Sequence, residues 1–194
     1  SIDNKMATKI EAWVDDYMGK FSKLGYRGQF FNLEFWVMPD ESIALTEINP
    51  RAAHSYHYNY EYSFGNSLYG DNFKLAAGLE PDADTPWTKW QRNADYKFTL
   101  IVLITGSDTG KVSDILDYEY VEHLEKNEGI LIRHTKQRDD VLTEKDMTAA
   151  GVMLQQMWIV GDTREDVIRK EHEVRSKIYR KAQKNCDYPS YWDV

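Results

Sequence analysis

Two short runs of alternating residues, separated by a turn sequence, constrain the fold of this chain more than any other feature. Apolar and polar residues alternate from Phe31 to Phe35, and a second alternating run extends from Thr46 to Arg51. A period of two is typical of a β-strand with two different faces. The residues between the runs, Met38 to Ser42, include a proline and an aspartate and are typical of a turn. The sequence therefore predicts an antiparallel hairpin with one polar face.

The polar face of this predicted hairpin carries several oxygen donors. Antiparallel pairing would place Glu34 near Glu47 and Asn49. Two carboxylates and an amide oxygen suit a hard cation such as Mg²⁺, which prefers oxygen ligands and keeps waters or phosphate oxygens. Arg51, just beyond the second strand, could hold a phosphate or carboxylate through two parallel hydrogen bonds. The alternative is a surface hairpin whose charged residues are simply solvated.

The same residues carry a family resemblance. The runs Asn32-Leu33-Glu34-Phe35 and Glu47-Ile48-Asn49-Pro50-Arg51 resemble the metal-binding hairpin at the end of the ATP-grasp ligase domain. Enzymes of this superfamily join a carboxylate to an amine or similar nucleophile through an acyl phosphate. The resemblance implies that Glu34, Glu47 and Asn49 bind Mg²⁺ and ATP. It also implies a catalytic role for Arg51, in contact with the transferred phosphate or the acceptor.

The resemblance extends, less specifically, over most of the chain. Apolar residues recur at three- and four-residue steps from Ile10 to Leu24 and predict an amphipathic helix before the hairpin. Residues 97–184 fit the β-rich ending with a final helix that is found in the biotin-carboxylase-like branch. The predicted fold class is therefore α+β. Residues 1–80 would form the C-terminal portion of an ATP-grasp domain, a helix plus an antiparallel metal-binding hairpin, and residues 81–194 a small β-rich subdomain with a C-terminal helix.

The parts of the family that this chain lacks shape the predicted function. In ATP-grasp ligases, an N-terminal domain and a lid supply the adenine pocket and a phosphate-binding lysine, and both lie upstream of the matching helix. The resemblance thus implies a ligase segment that is inactive alone and is completed by a missing N-terminal half or by a homo-oligomer. One alternative is a ligase fragment repurposed as a non-catalytic carrier of a small molecule such as a pigment or chromophore. Another is a structural or interaction module that kept only the scaffold.

A tyrosine-rich stretch follows the predicted hairpin. Tyrosines occupy every second position from Tyr56 to Tyr62, so on a strand all four would share one face. One interpretation is a packed aromatic layer with hydroxyl groups at the surface. The other is an aromatic wall for a flat ligand beside the hairpin, and this interpretation selects four ligand-binding residues: His54, Ser55, Tyr56 and Tyr58.

Composition excludes some classes of partner. A net charge of −8 and a pI near 5.2 argue against a nucleic-acid backbone as partner. The sequence contains no run of about 18 apolar residues, so it predicts no transmembrane helix. The N-terminus also lacks the basic and then apolar residues of a signal peptide. We therefore expect a cytoplasmic protein with a small-molecule ligand and no membrane partner, although a start at Ser1 leaves processing from a longer precursor open.

Overall fold

A computed structural model describes residues 4–65, 67–80 and 96–181. Its contacts divide the chain into two compact units. We call Ser1–His57 with Asn66–Trp90 the hairpin unit, and Tyr58–Gly65 with Gln91–Val194 the sheet unit. The predicted boundary between residues 80 and 81 borders a segment, 81–95, that lies outside the described residues, so it stays a prediction.

The elements follow one another in a mixed order of helices and strands. They are α1 (Asn4–Lys23), β1 (Asn32–Val37), β2 (Ile43–Asn49), a 3-10 turn (His54–Tyr56), α2 (His57–Phe64), α3 (Leu68–Ala76), β3 (Phe98–Gly106), β4 (Gly110–Lys111), α4 (Val112–Ile115), α5 (Tyr118–Asn127), β5 (Leu131–His134), β6 (Val141–Leu142), a second 3-10 turn (Glu144–Asp146), β7 (Val152–Gly161) and α6 (Arg164–Ile178). The predicted α+β class, with a helix and hairpin followed by a β-rich part and a final helix, is confirmed. None of the helices in the described residues is both long and apolar enough to cross a membrane.

A chain of aromatic contacts joins α1 to the hairpin. The ring centroid of Trp13 lies 5.3 Å from that of Tyr17 and 5.5 Å from that of Phe35 on β1. Three further pairs continue the chain of contacts: Tyr17–Phe21, Phe21–Tyr26 and Tyr26–Phe31. The amphipathic helix is therefore present as predicted and packs its aromatic residues toward β1, yet none of its residues is fully buried.

The hairpin pairs antiparallel, as predicted, but with a β-bulge. Glu34 is opposite Glu47, whereas the next residue, Phe35, is opposite Leu45, which leaves Thr46 as an extra residue in β2. Without this insertion Phe35 would face Thr46. Because of the insertion, Leu45 is opposite Phe35 instead. The face of the hairpin that carries Phe35 therefore remains apolar as far as the turn.

The sheet unit is built on an antiparallel three-stranded sheet in the order β3-β7-β5. α6 packs on β3 and β7, and α5 packs on α6. These elements enclose a contiguous apolar core, whose most deeply buried members include Ile104, Leu124, Leu154, Met157, Ile159 and Ile178. This core gives the sheet unit an interior of its own.

The tyrosine-rich stretch is helical, so the predicted strand is wrong. On α2, Tyr58 and Tyr62 are one turn apart, and the Tyr58 ring packs edge-on against Trp158 of β7 with centroids 4.8 Å apart. Residues spaced by two also include pairs spaced by four, so a short alternating run fits a helix as well as a strand. The four tyrosines therefore do not form a single aromatic wall.

β3 lies at an edge of its sheet, and side chains bind two of its backbone carbonyls. The Asn59 amide donates to the Thr99 carbonyl at 3.3 Å, and the Tyr179 hydroxyl donates to the Thr105 carbonyl at 3.0 Å. Unpaired groups on an edge strand are a template for pairing with another chain. These two side chains therefore reduce the number of unpaired carbonyl groups that β3 offers to another chain.

Candidate functional site on the hairpin unit

A pair of carboxylates stands on the polar face of the hairpin. Glu34 and Glu47 are directly opposite each other, which places their Cβ atoms about 5 Å apart on one face. Both side chains are exposed, and neither has a basic partner among the residues that the structure describes. In contrast, Glu41 in the turn pairs with Lys5 at 3.0 Å. The carboxylate pair therefore concentrates negative charge that no nearby side chain neutralises.

Two asparagines flank this carboxylate pair. Asn32 and Asn49 are opposite each other at the start of β1 and the end of β2. The Asn32 amide donates to Glu34 Oε1 at 3.4 Å, and Arg51 donates to Asn49 Oδ1 at 3.5 Å. Both hydrogen bonds are long, so the oxygen atoms are only weakly engaged. Sequence reasoning selected Asn49 but not Asn32, although its position two residues before Glu34 places it on the same face.

The residues on this face fit a hard divalent cation. The structure brings Glu34 and Glu47 together and puts Asn49 beside them, so every donor is an oxygen atom. Within the described ranges, no group of three or more His, Cys, Asp and Glu side chains could form a complete metal cage. Mg²⁺ commonly takes one or two carboxylates and completes its shell with water and phosphate oxygens. The chemistry of this donor set therefore suits Mg²⁺ bound together with a phosphate group.

The turn at the other end of the hairpin is held by local interactions. The Asp40 carboxylate accepts hydrogen bonds from the Ser42 backbone at 2.9 Å and its hydroxyl at 2.6 Å, and these bonds lower the pKa of Asp40. The ammonium group of Lys5 lowers the pKa of Glu41, mainly through its hydrogen bond. Both carboxylates stay ionised at neutral pH, and the closed end of the hairpin is stabilised by its own partners.

An open cleft lies at the opposite, open end of the hairpin. Its volume is about 460 Å³, and it is lined by Arg27, Gly28, Gln29, Phe30, Pro50, Arg51, Asn72, Leu75 and Ala76. The segments before β1 and after β2 meet here, and α3 supplies the remaining wall. Sequence reasoning selected Arg51 but missed Arg27. A sequence signal could have found Arg27. In an antiparallel hairpin the start of the first strand lies beside the end of the second, so residues before β1 are expected near Arg51, which follows β2.

Ser55, Tyr56 and Tyr58, three of the four predicted ligand-binding residues, are not among the residues that line this cleft. His54 opens the 3-10 turn, Ser55 is half-buried, and Tyr56 is 49% exposed. Tyr58 contacts Trp158 in the sheet unit. Their role in binding a ligand stays a prediction, and the strand on which it was based is replaced by the turn and α2.

Comparison with known proteins finds similarity at the level of structure. No family model matches the chain, and no curated protein sequence matches it. An L-amino acid ligase from Bacillus licheniformis matches with a TM-score of 0.66 and 15% identity, over 92% of this chain and 43% of that one. An N5-carboxyaminoimidazole ribonucleotide synthetase (PurK) in complex with ADP matches with a TM-score of 0.59 and 16% identity, over 89% of this chain and 38% of that one.

A carboxylase domain also matches. The biotin carboxylase domain of the Hydrogenobacter thermophilus 2-oxoglutarate carboxylase, in complex with MgADP, ADP and bicarbonate, has a TM-score of 0.52 and 13% identity, over 76% of this chain and 31% of that one. The chain thus has the fold of part of the ATP-grasp carboxylate–amine ligases. It spans less than half the length of each of these structures.

Proposed function

We propose that this chain is the C-terminal segment of an ATP-grasp-type ligase. It would bind Mg²⁺ and ATP and take part in forming an acyl phosphate for carboxylate–amine ligation. The observation that carries the proposal is the pair of opposed, unneutralised carboxylates, Glu34 and Glu47, on a fold shared with ATP-dependent ligases. Two structures with that fold hold ADP, one of them as the magnesium salt, which supports the same ligand here.

Each polar residue of the hairpin has a part in this proposal. Glu34, Glu47 and Asn49 would hold Mg²⁺ between them and the nucleotide phosphates. When bound, the metal neutralises charge on the phosphoryl group that is transferred. Arg51, which lines the cleft, would contact the transferred phosphate or the carboxylate of the acceptor, because a guanidinium group binds both bidentately.

Ligation would require groups beyond this chain. Phosphoryl transfer depends on side chains positioned on both sides of the nucleotide, and the chain spans 43% or less of the ligases it resembles. The tip of the hairpin exposes a run of apolar side chains: Trp36 (69%), Val37 (39%), Met38 (44%) and Leu45 (38%). Exposed apolar patches mark interaction surfaces. A missing N-terminal half or a second copy of the chain is the proposed partner.

The metal site can be tested on residues 1–194 directly. We expect Mn²⁺, used as a paramagnetic substitute for Mg²⁺, to bind the chain, and Glu47→Gln to weaken binding at least tenfold. Glu61→Gln on α2 removes the same charge in the sheet unit and is the matched control. Equal affinities for the wild type and Glu47→Gln would contradict the metal site.

Activity gives a second test of the proposal. Residues 1–194 alone are expected to show no ATP turnover above that of Glu47→Gln, whereas a longer reading frame that encodes a lid should turn over ATP. Turnover by the 194-residue chain itself would contradict the need for a second half.

Sedimentation at micromolar concentration tests the proposed partner, because a clean 22.7 kDa species would count against association.

A second candidate function is a non-catalytic carrier of a small molecule. The 460 Å³ cleft favours it, since that volume lies within the range of small-molecule sites. The absorbance spectrum of the purified chain separates the two candidates. A visible band that survives dialysis would favour the carrier, and metal-dependent nucleotide binding would favour the ligase.

A further inference from the structure

The cleft of the hairpin unit holds two arginines without carboxylate partners. The chain has 32 Asp and Glu against 24 Lys and Arg, so acidic residues outnumber basic ones. Yet no Asp or Glu lines the cleft, and neither Arg27 nor Arg51 forms an ion pair among the described residues. The closest polar contacts of Arg51 are long hydrogen bonds to the Ala52 carbonyl at 3.4 Å and to Asn49 Oδ1 at 3.5 Å. Two arginines therefore line one cleft, and neither has a carboxylate partner among the described residues.

The remaining walls of the cleft have a different character. Phe30, Pro50, Leu75 and Ala76 supply apolar surface, and Gln29 and Asn72 supply amide groups. A volume of 460 Å³ is larger than a bare oxyanion needs and suits a molecule of several heavy atoms. Guanidinium groups bind carboxylate and phosphate through paired hydrogen bonds, whereas the apolar wall favours a hydrocarbon or aromatic body.

We infer that this cleft binds a small organic anion, with a carboxylate or phosphate head between Arg27 and Arg51 and an apolar body against Phe30 and Leu75. The inference shares Arg51 with the proposed ligase function but goes beyond it, because it assigns Arg27 and the cleft and needs neither nucleotide nor metal. The carboxylates of Glu34 and Glu47 do not line the cleft.

Calorimetric titration of the 194-residue chain, at low salt and with EDTA, tests this inference. The probes are phenyl phosphate, phenylacetate, the neutral phenylacetamide and inorganic phosphate. We expect phenyl phosphate or phenylacetate to bind at least tenfold more tightly than phenylacetamide, and the tighter of the two identifies the head group. Substituting Arg27→Gln or Arg51→Gln should weaken that binding about tenfold, the loss typical of one charged hydrogen-bonding partner.

Three variants make the result specific. Arg169→Gln on α6 removes the same charge in the sheet unit and should leave the affinity unchanged. Ala76→Phe fills the cleft and should weaken binding of both aromatic anions. Glu47→Gln should retain anion binding while losing Mn²⁺, so a failure of this inference and a failure of the metal site are separate results.

Several outcomes would overturn the inference. These are equal affinity for phenylacetamide and the anions, equal losses in Arg27→Gln and Arg169→Gln, and no measurable binding of either aromatic anion. Inorganic phosphate binding as tightly as phenyl phosphate would also overturn it, because the apolar wall would then contribute nothing.

Discussion

The two units of this chain differ in how they bury their apolar residues. The sheet unit encloses a contiguous core between a sheet and two helices. In the hairpin unit, only Leu68 and Asp71 are buried among the described residues, and the aromatic side chains of α1 stay partly exposed. The unit with the candidate chemistry is therefore the one with the poorer interior. Its unpaired carboxylates and arginines lie where a ligand or partner can reach them.

This difference has a thermodynamic consequence. Burial of apolar surface contributes roughly 25 cal/mol per Å², so a unit without a core has less intrinsic stability to lose. A ligand that binds only the folded state adds to the stability of the unit that holds it. We therefore expect the hairpin unit to be the more responsive of the two to metal, anions and partners, and the following predictions test that contrast.

The largest effect is expected from truncating the core of the sheet unit. Leu154 is fully buried, and its carbonyl accepts hydrogen bonds from the backbone of Thr135 and Lys136. Leu154→Ala should lower the free energy of unfolding by about 3 kcal/mol, because the cavity in a dense core cannot collapse fully. Leu33→Ala in the half-buried face of β1 is the matched control, with an expected loss of about 1 kcal/mol. Urea unfolding measures both variants. Equal losses in the free energy of unfolding would contradict the difference in apolar burial between the two units.

A smaller effect is expected from removing the central aromatic contact of the hairpin unit. Trp13 contacts both Tyr17 and Phe35, so Trp13→Ala should cost the hairpin unit about 2 kcal/mol. Trp36→Ala, at a residue that is 69% exposed, should cost less than about 0.5 kcal/mol. Peptide-resolved hydrogen exchange should show faster exchange in β1 and β2 and no change in β7. Faster exchange in β7 would mean that the two units do not unfold independently.

The hairpin illustrates what could be predicted from the sequence. The alternating runs and the turn between them predicted an antiparallel hairpin with Glu34 near Glu47 and Asn49, and the antiparallel pairing is confirmed. The bulge at Thr46 was not predicted, although Thr46 and Glu47 are consecutive polar residues that interrupt the alternation at that point. The bulge shifts β2 by one residue, so that Glu47 rather than Thr46 lies opposite Glu34. Arg27 was missed for a different reason: its place before β1 is the one sequence signal for it, and the packing with α3 that completes the cleft is not visible in the local sequence.

The tyrosine-rich stretch illustrates where sequence reasoning went wrong. A spacing of two favoured a strand, but Tyr58 pairs with Tyr62 on α2 and packs on Trp158. Tertiary burial against β7 decides between helix and strand in a run this short, and that contact is invisible in the local pattern.

A smaller effect, of opposite sign, is expected at the carboxylate pair. Like charges directly opposite each other on neighbouring strands destabilise a sheet, so in EDTA Glu47→Gln should stabilise the hairpin unit by about 0.5 kcal/mol. Saturating Mg²⁺ should reverse the order by stabilising only the wild type. Thermal unfolding with and without Mg²⁺ measures the effect, and Glu61→Gln should respond to neither change. A Glu47→Gln variant less stable than the wild type in EDTA would mean that the pair is not repulsive.

The smallest effect is expected from a surface carboxylate of the sheet unit, and it is confined to acid pH. Asp146 accepts hydrogen bonds from the backbone and hydroxyl of Thr143 and from Lys136, and these lower its pKa from 3.8 to about 2. Because the folded-state pKa lies below the unfolded value, this stabilisation is complete above about pH 4 and is lost as the pH falls through about 2. In Asp146→Asn the stability of the sheet unit should therefore change less steeply between pH 4 and pH 2 than in the wild type. Glu144→Gln, on the same 3-10 turn, is the charge-matched control. Thermal unfolding across this pH range checks the slope, and identical slopes for Asp146→Asn and Glu144→Gln would show that the Thr143 hydrogen bonds do not govern the acid response.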